Sequence, residues 1–77
     1  MFTISNLRLG IHYLVNDDPS KAIVCLQSVL RTDPNNLNAW ESLADAYFNR
    51  GSFTSALKAY DKVLQLYKVR ISEYLDT

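Results

Sequence analysis

The sequence predicts an all-α fold: an α-solenoid of two antiparallel helix hairpins, with a last helix that runs on past the second hairpin. Three observations predict it. Apolar residues recur at helical spacing along most of the chain. The pattern repeats when the chain is shifted by 34 positions, inside the range of roughly 20–50 residues that marks stacked repeat units. Both prolines and Gly51 fall at the breaks between apolar runs, where turns belong.

The shift by 34 puts Leu9 on Leu43, Tyr13 on Tyr47, Ala22 on Ala56, Val29 on Val63 and Leu30 on Leu64. Gly10 falls on Ala44, Leu14 on Phe48 and Leu26 on Tyr60. Two units result, about 3–36 and 37–70, and residues 71–77 continue the last helix. The whole is one small domain or a fragment of a longer solenoid, because 77 residues are too few for two cores.

The first helix is expected near 4–15 and carries Leu9, Gly10 and Tyr13. Asn16-Asp17-Asp18-Pro19 is a turn, with Asp18 as N-cap and Pro19 in the first helical position. The second helix, 19–32, faces inward through Ala22, Leu26 and Val29. Asp33-Pro34-Asn35-Asn36 then breaks the chain. The third helix, 37–50, carries Trp40, Leu43, Ala44 and Tyr47 at i, i+3, i+4 and i+7. Gly51 can take the positive φ that ends a helix, and Ser52 stands where an N-cap belongs. The fourth helix follows with Ala56, Tyr60 and Val63 on one face. Ala44 and Ala56 are small enough for close approach, and Trp40, Tyr47 and Tyr60 are expected to fill the remaining volume.

No Gly or Pro interrupts 53–75, so this helix should be continuous and longer than the others. Ala56, Ala59, Val63 and Leu66 make the face expected towards the third helix. Leu57, Tyr60, Leu64, Tyr67, Ile71 and Tyr74 make a second, heptad-like seam. Its end, Tyr67, Ile71 and Tyr74, is expected either to cap the last repeat or to meet a third repeat, a partner helix or a second copy.

The spacing Trp40-x2-Leu43-Ala44-x2-Tyr47, then Ala56-x3-Tyr60, resembles the tetratricopeptide repeat, whose period is also 34. The likeness covers about 68 residues. It departs in three places: Asn6 stands where a large apolar residue is usual, Asp17 replaces the turn glycine, and Lys68 replaces the closing proline. More narrowly, LQSVLRTDPNNLNAWESLADAY and RGSFTSALKAY resemble the long repeat scaffolds of superkiller (Ski) complexes, which assist the cytoplasmic RNA exosome. The family resemblance implies a concave surface lined by the first helix of each hairpin. Ligand-facing positions fall on Asn38, Glu41, Asp45, Phe48 and Asn49 in the second unit, and on Ile4, Leu7, Ile11, Leu14 and Val15 in the first. An asparagine amide can pair with the backbone of an extended peptide through one donor and one acceptor. The apolar stripe of the first unit has a plainer reading, in which it packs on a preceding repeat.

Catalysis finds no support. His12 is the single histidine, and no nucleophile–base set can be built on it. Cys25 lies beside packing positions and reads as a partly buried structural thiol. One Cys and one His supply no zinc spacing, and two isolated glycines supply no phosphate loop. Turn and cap chemistry accounts for Asp17-Asp18. Glu41 and Asp45, at i and i+4, fit a solvated or ligand-facing surface better than acid–base work. No cofactor and no metal are expected.

Eight basic and eight acidic residues give zero formal charge, which argues against direct nucleic-acid binding. Arg50, Lys58, Lys62, Lys68 and Arg70 are the only loose basic group. No apolar run approaches the ~20 residues of a membrane span, and no signal peptide is visible, so the expected compartment is cytoplasmic or nuclear. Some tetratricopeptide domains clamp acidic chaperone tails with Lys, Asn and Arg. Here Glu41 and Asp45 would repel such a tail. The reading that remains is a non-enzymatic protein-interaction and scaffolding module. Its partner is a peptide or helix in the concave groove, or neighbouring repeats. Self-association as a homo-oligomer through the solenoid ends is the alternative.

Overall fold

In a computed structural model the backbone is described for residues 2–75 and the side chains for residues 5–75. Among the described residues four helices follow one another: α1 (Phe2–Val15), α2 (Pro19–Thr32), α3 (Leu37–Arg50) and α4 (Phe53–Leu75). The last three have the bounds expected from the sequence, and α1 starts two residues earlier than expected. Two antiparallel hairpins, α1–α2 and α3–α4, stack so that α3 packs against all three other helices. Neither α1 nor α2 packs on α4.

The two hairpin turns are built alike. Asp17 N–H donates to the Leu14 carbonyl at 3.2 Å and Asp18 N–H to that of Tyr13 at 2.8 Å. Thirty-four positions on, Gly51 N–H donates to Phe48 at 3.0 Å and Ser52 N–H to Tyr47 at 2.9 Å. This paired arrangement satisfies helix-end carbonyls and demands a left-handed residue at its centre. Gly51 supplies it with φ +88°, and Asp17 adopts φ +61°. Asp tolerates that conformation better than most side chains but less well than Gly.

The remaining helix starts follow from capping. Asp18 accepts from Lys21 N–H at 3.4 Å, with Pro19 behind it in the first turn. Asn36 accepts from Ala39 N–H at 3.0 Å. Trp40 Nε1 donates to the Pro34 carbonyl at 2.7 Å, tying α3 to the loop before it.

The core lies at the α2–α3 junction. Ala22, Ile23, Leu26, Leu43 and Ala46 are buried together, with Leu7, Tyr13, Leu14, Leu30, Trp40 and Tyr47 packed around them. Gly10 is buried where α1 meets α2. A methyl group there would lie 2.8 Å from Leu26 Cγ and 2.9 Å from Cδ2. Asn6, in place of the usual large apolar residue, reaches α2 through a long 3.4 Å contact to Ser28 Oγ. Ala56, Ala59 and Val63 seat α4 on α3, and Leu66 is half-buried. Cys25 is half-buried, as expected for a structural thiol.

Tyr60 differs from expectation. It was expected to fill interior volume beside Trp40 and Tyr47, yet it is 37% exposed. Its hydroxyl instead donates to Asp45 Oδ1 at 2.6 Å, at the edge of the α3–α4 interface.

Candidate functional site

α3 is the element around which any binding surface must be built, since it touches every other helix. At 3.6 residues per turn its residues divide between two nearly opposite sides. Glu41, Asp45 and Phe48 lie on one side; Trp40, Leu43 and Tyr47 lie on the other.

The first side carries the residues expected to face a ligand. Glu41 is half-buried and Asp45 exposed, and each carboxylate accepts a hydrogen bond from a tyrosine of α4. Tyr67 Oη donates to Glu41 Oε1 at 3.0 Å, and Tyr60 Oη donates to Asp45 Oδ1. The Asp45 hydrogen bond pushes the Tyr60 phenol up from 10.0 to about 12, with desolvation and the carboxylate charge acting in the same direction. Tyr67 is raised for the same first reason, its hydrogen bond to Glu41, while Arg70 opposes the shift. Both carboxylates are therefore held in place while keeping lone pairs for another donor.

Phe48 is 56% exposed and meets Phe53 edge-on, with ring centroids 5.4 Å apart. Asn49 is exposed. Asn38, also exposed, lines a shallow polar recess of about 360 Å³ with Asp33, Asn36 and Arg70.

The first-unit positions divide differently. Leu7 and Leu14 pack on the core cluster, so their side chains serve the fold first. Ile11 is 38% exposed and Val15 is exposed. The side chain of Ile4 lies outside the described residues. The structure thus brings Glu41, Asp45, Tyr60 and Tyr67 together, while Leu7 and Leu14 lie half-buried against the core cluster.

Along α4, the outward seam is open. Leu57, Leu64, Tyr67 and Ile71 are all more than two-fifths exposed, and Tyr74 is 81% exposed. Residues 76 and 77, the expected end of the tail, lie outside the described residues.

The opposite side of α3 floors a groove that sequence reasoning did not single out. α2 and α4 flank α3 without touching, which leaves an open channel of about 710 Å³. Leu30, Trp40, Leu43, Tyr47 and Ala59 line it, and Gln27 Nε2 donates to Tyr47 Oη at 3.0 Å across one end. Arg31, Lys58 and Lys62 also line it, against one acid, Asp61. One signal for it was in the sequence: Lys58 and Lys62 are spaced i, i+4, off the seam.

His12 is exposed on α1, with its ring against Tyr13 and the Asn16 amide. Among the described residues no three His, Cys, Asp or Glu side chains cluster to hold a metal. No helix among them is long and apolar enough to cross a membrane.

The geometry of two stacked hairpins with matched turns agrees with the comparison to known families. Residues 7–69 match the tetratricopeptide repeat, and the chain belongs to that family. Repeats of this family are non-catalytic scaffolds that bind proteins or peptides. The chain is similar to superkiller complex protein 3 of Homo sapiens, 47% identical over 60 residues, or 78% of this chain. It is 38% identical over 58 residues to superkiller protein 3 of Saccharomyces cerevisiae, 75% of the chain. It also matches the peroxisomal targeting signal receptor of the same yeast, 37% identical over 60 residues. The chain spans about 4% of the length of the superkiller relatives and 10% of the receptor.

Proposed function

We propose that this chain is a scaffolding segment of a superkiller-like assembly in cytoplasmic RNA decay, with no enzymatic role. It holds a protein partner through the α3 face of Asn38, Glu41, Asp45, Phe48 and Asn49, with Ile11 and the edges of Leu7 and Leu14 extending the surface along α1. The observation that carries the reading is the pair of carboxylates oriented by Tyr60 and Tyr67. Two immobilised acceptors on one helix face have already lost much of the side-chain entropy that binding would otherwise cost, so a basic or neutral peptide gains from them directly. The identity to superkiller proteins supports the choice of assembly.

The test is a chimera. The matching 60-residue stretch of human superkiller complex protein 3 is replaced by the corresponding residues of this chain, and assembly of the complex is read by co-purification. Retained assembly, lost on Glu41→Lys with Asp45→Lys, is expected. A folded chimera that fails to assemble would refute the scaffold reading.

A second reading, self-association, rests on the exposed seam of Leu64, Tyr67, Ile71 and Tyr74 on α4. An apolar helix face of this kind is the usual site of helix–helix pairing. Light scattering across a wide concentration range decides it. A rising mass supports association, and a constant monomeric mass removes it.

A further inference from the structure

We infer that the outer groove between α2 and α4 is a second, separate docking site, for an acidic peptide segment of a protein partner that carries two or three bulky apolar side chains. Three features of the groove define the occupant.

The floor is apolar and aromatic. Leu30, Trp40, Leu43 and Tyr47 present carbon to the channel, and the channel volume of about 710 Å³ lies in the usual range for a site that takes compact apolar groups. On α4 the lining extends from Ser55 to Gln65, about 15 Å at the helical rise. That length takes between two and three turns of a bound helix, or four to five extended residues, by the same geometry.

The rim is basic. Arg31 comes from α2, and Lys58 and Lys62 from α4, with Asp61 as the single opposing acid. None of the three cations is in an ion pair among the described residues. Cations on two sides of an apolar floor select a ligand that is apolar at its centre and acidic at its flanks. The chain as a whole is neutral, so this rim reflects local segregation. The acidic counterpart, Glu41 and Asp45, lies across α3. A ligand suited to one side is repelled by the other.

A further hairpin stacked on α4 would leave the groove open. A further hairpin would pack on the seam of Leu57, Leu64 and Ile71, which lies on a different face of α4 from Lys58 and Lys62. The site is therefore independent of the reading given above for the α3 carboxylate face and for the assembly.

A single-stranded RNA is the other polyanion that a basic rim suggests. Three cations around a hydrophobic floor supply too few phosphate contacts for it and leave the apolar channel unfilled.

Trp40 is the only tryptophan in the chain and lines the groove, so its emission reports on this site alone. Random twelve-residue peptides displayed on phage are selected on the chain. Enriched tryptophan-free peptides are then synthesised and titrated while Trp40 emission is followed. Expected are sequences rich in Asp and Glu around Leu, Ile or Phe, a shift of Trp40 emission on binding, and weakening by about tenfold in Lys58→Glu with Lys62→Glu. Both lysines lie outside the buried core, and circular dichroism confirms that the variant remains helical. Glu41→Lys with Asp45→Lys should leave this binding intact, which separates failure here from failure of the assembly reading. No enrichment, enrichment without acidic residues, binding that leaves Trp40 emission unchanged, or tighter binding of oligouridine RNA than of any peptide would each overturn the inference.

Discussion

Gly10→Ala sets two known effects against each other, and the structure decides the sign. Alanine in a helix interior is favoured over glycine by about 1 kcal/mol, so sequence reasoning alone expects a gain. The new methyl would lie 2.8 Å from Leu26 Cγ and 2.9 Å from Cδ2, closer than carbon atoms pack. Leu26 is 0% exposed and cannot swing away, so α1 must shift or strain must be stored. Such overpacking costs about 1–3 kcal/mol, and the net expectation is a loss of about 1 kcal/mol. In thermal terms that is a fall of about 4–8 °C for a domain of this size. The equivalent position in the second hairpin is Ala44, fully buried without a clash. The residue aligned with Leu26 is Tyr60, whose hydroxyl is bonded to Asp45 at the edge of the interface. Ala44→Gly should therefore also destabilise, by about 1 kcal/mol or more. Both variants are measured by urea unfolding followed at 222 nm. A higher midpoint for Gly10→Ala would show that contact with Leu26 does not set the α1–α2 spacing.

Four further expectations follow from the turns and from α4. Gly51 has nothing within 4 Å of an added methyl, so Gly51→Ala isolates backbone conformation and should cost about 1 kcal/mol in urea unfolding. At the matched turn Asp17→Gly should raise stability by about 0.5 kcal/mol in the same measurement, since it relieves a left-handed side-chain residue. Tyr60 holds its proton more tightly folded than unfolded, so its contribution is complete below pH 10 and is lost as pH rises towards about 12. Tyr60→Phe should lose about 0.5–1 kcal/mol near neutrality, a figure discounted for exposure, and its deficit against wild type should shrink through that window in pH-dependent unfolding. Lys68→Pro should break α4 near residue 64 and lower helical ellipticity by its last turns, while the core of Ala56, Ala59 and Val63 survives.

The repeat made most of the fold legible. Where Pro19, Asn36 and Gly51 mark helix ends, the expected boundaries match those observed, because capping is a local property of the chain. Nothing in Phe2-Thr3-Ile4 marks a start as clearly, and there the boundary moved by two residues. Side-chain placement was less legible. Leu14 and Phe48 align at a shift of 34, yet Leu14 packs on the core and Phe48 is exposed against Phe53. Leu26 and Tyr60 align as well and point to different surroundings. A periodic pattern specifies which face a residue occupies, while its neighbours across the interface specify how deep it sits. Those neighbours differ because α3 stacks on α2, whereas among the described residues no helix stacks on α4 from the equivalent side. The outer groove escaped the sequence for a related reason. Its cations come from α2 and α4, which are not adjacent in the chain and meet only through α3.

The position of α3 ties these features together. A helix at the edge of a stack can offer one face to a partner. α3 is packed by α1, α2 and α4, and the surface it leaves free divides between the carboxylate side and the groove side. The arc towards Tyr60 and Tyr67 is acidic and braced by hydrogen bonds. The arc towards Trp40 and Tyr47 is apolar, with basic residues of the flanking helices around it. Charge of opposite sign on the two arcs prevents one ligand from occupying both, and a neutral chain can carry both only by segregating them. Each hairpin added to such a stack would place another first helix in the position of α3. The charge does not come with the position: at a shift of 34, Glu41 and Asp45 fall on Leu7 and Ile11, and Lys58 and Lys62 on Val24 and Ser28, so the two charged arcs are a property of the second unit and the first offers apolar and neutral groups instead.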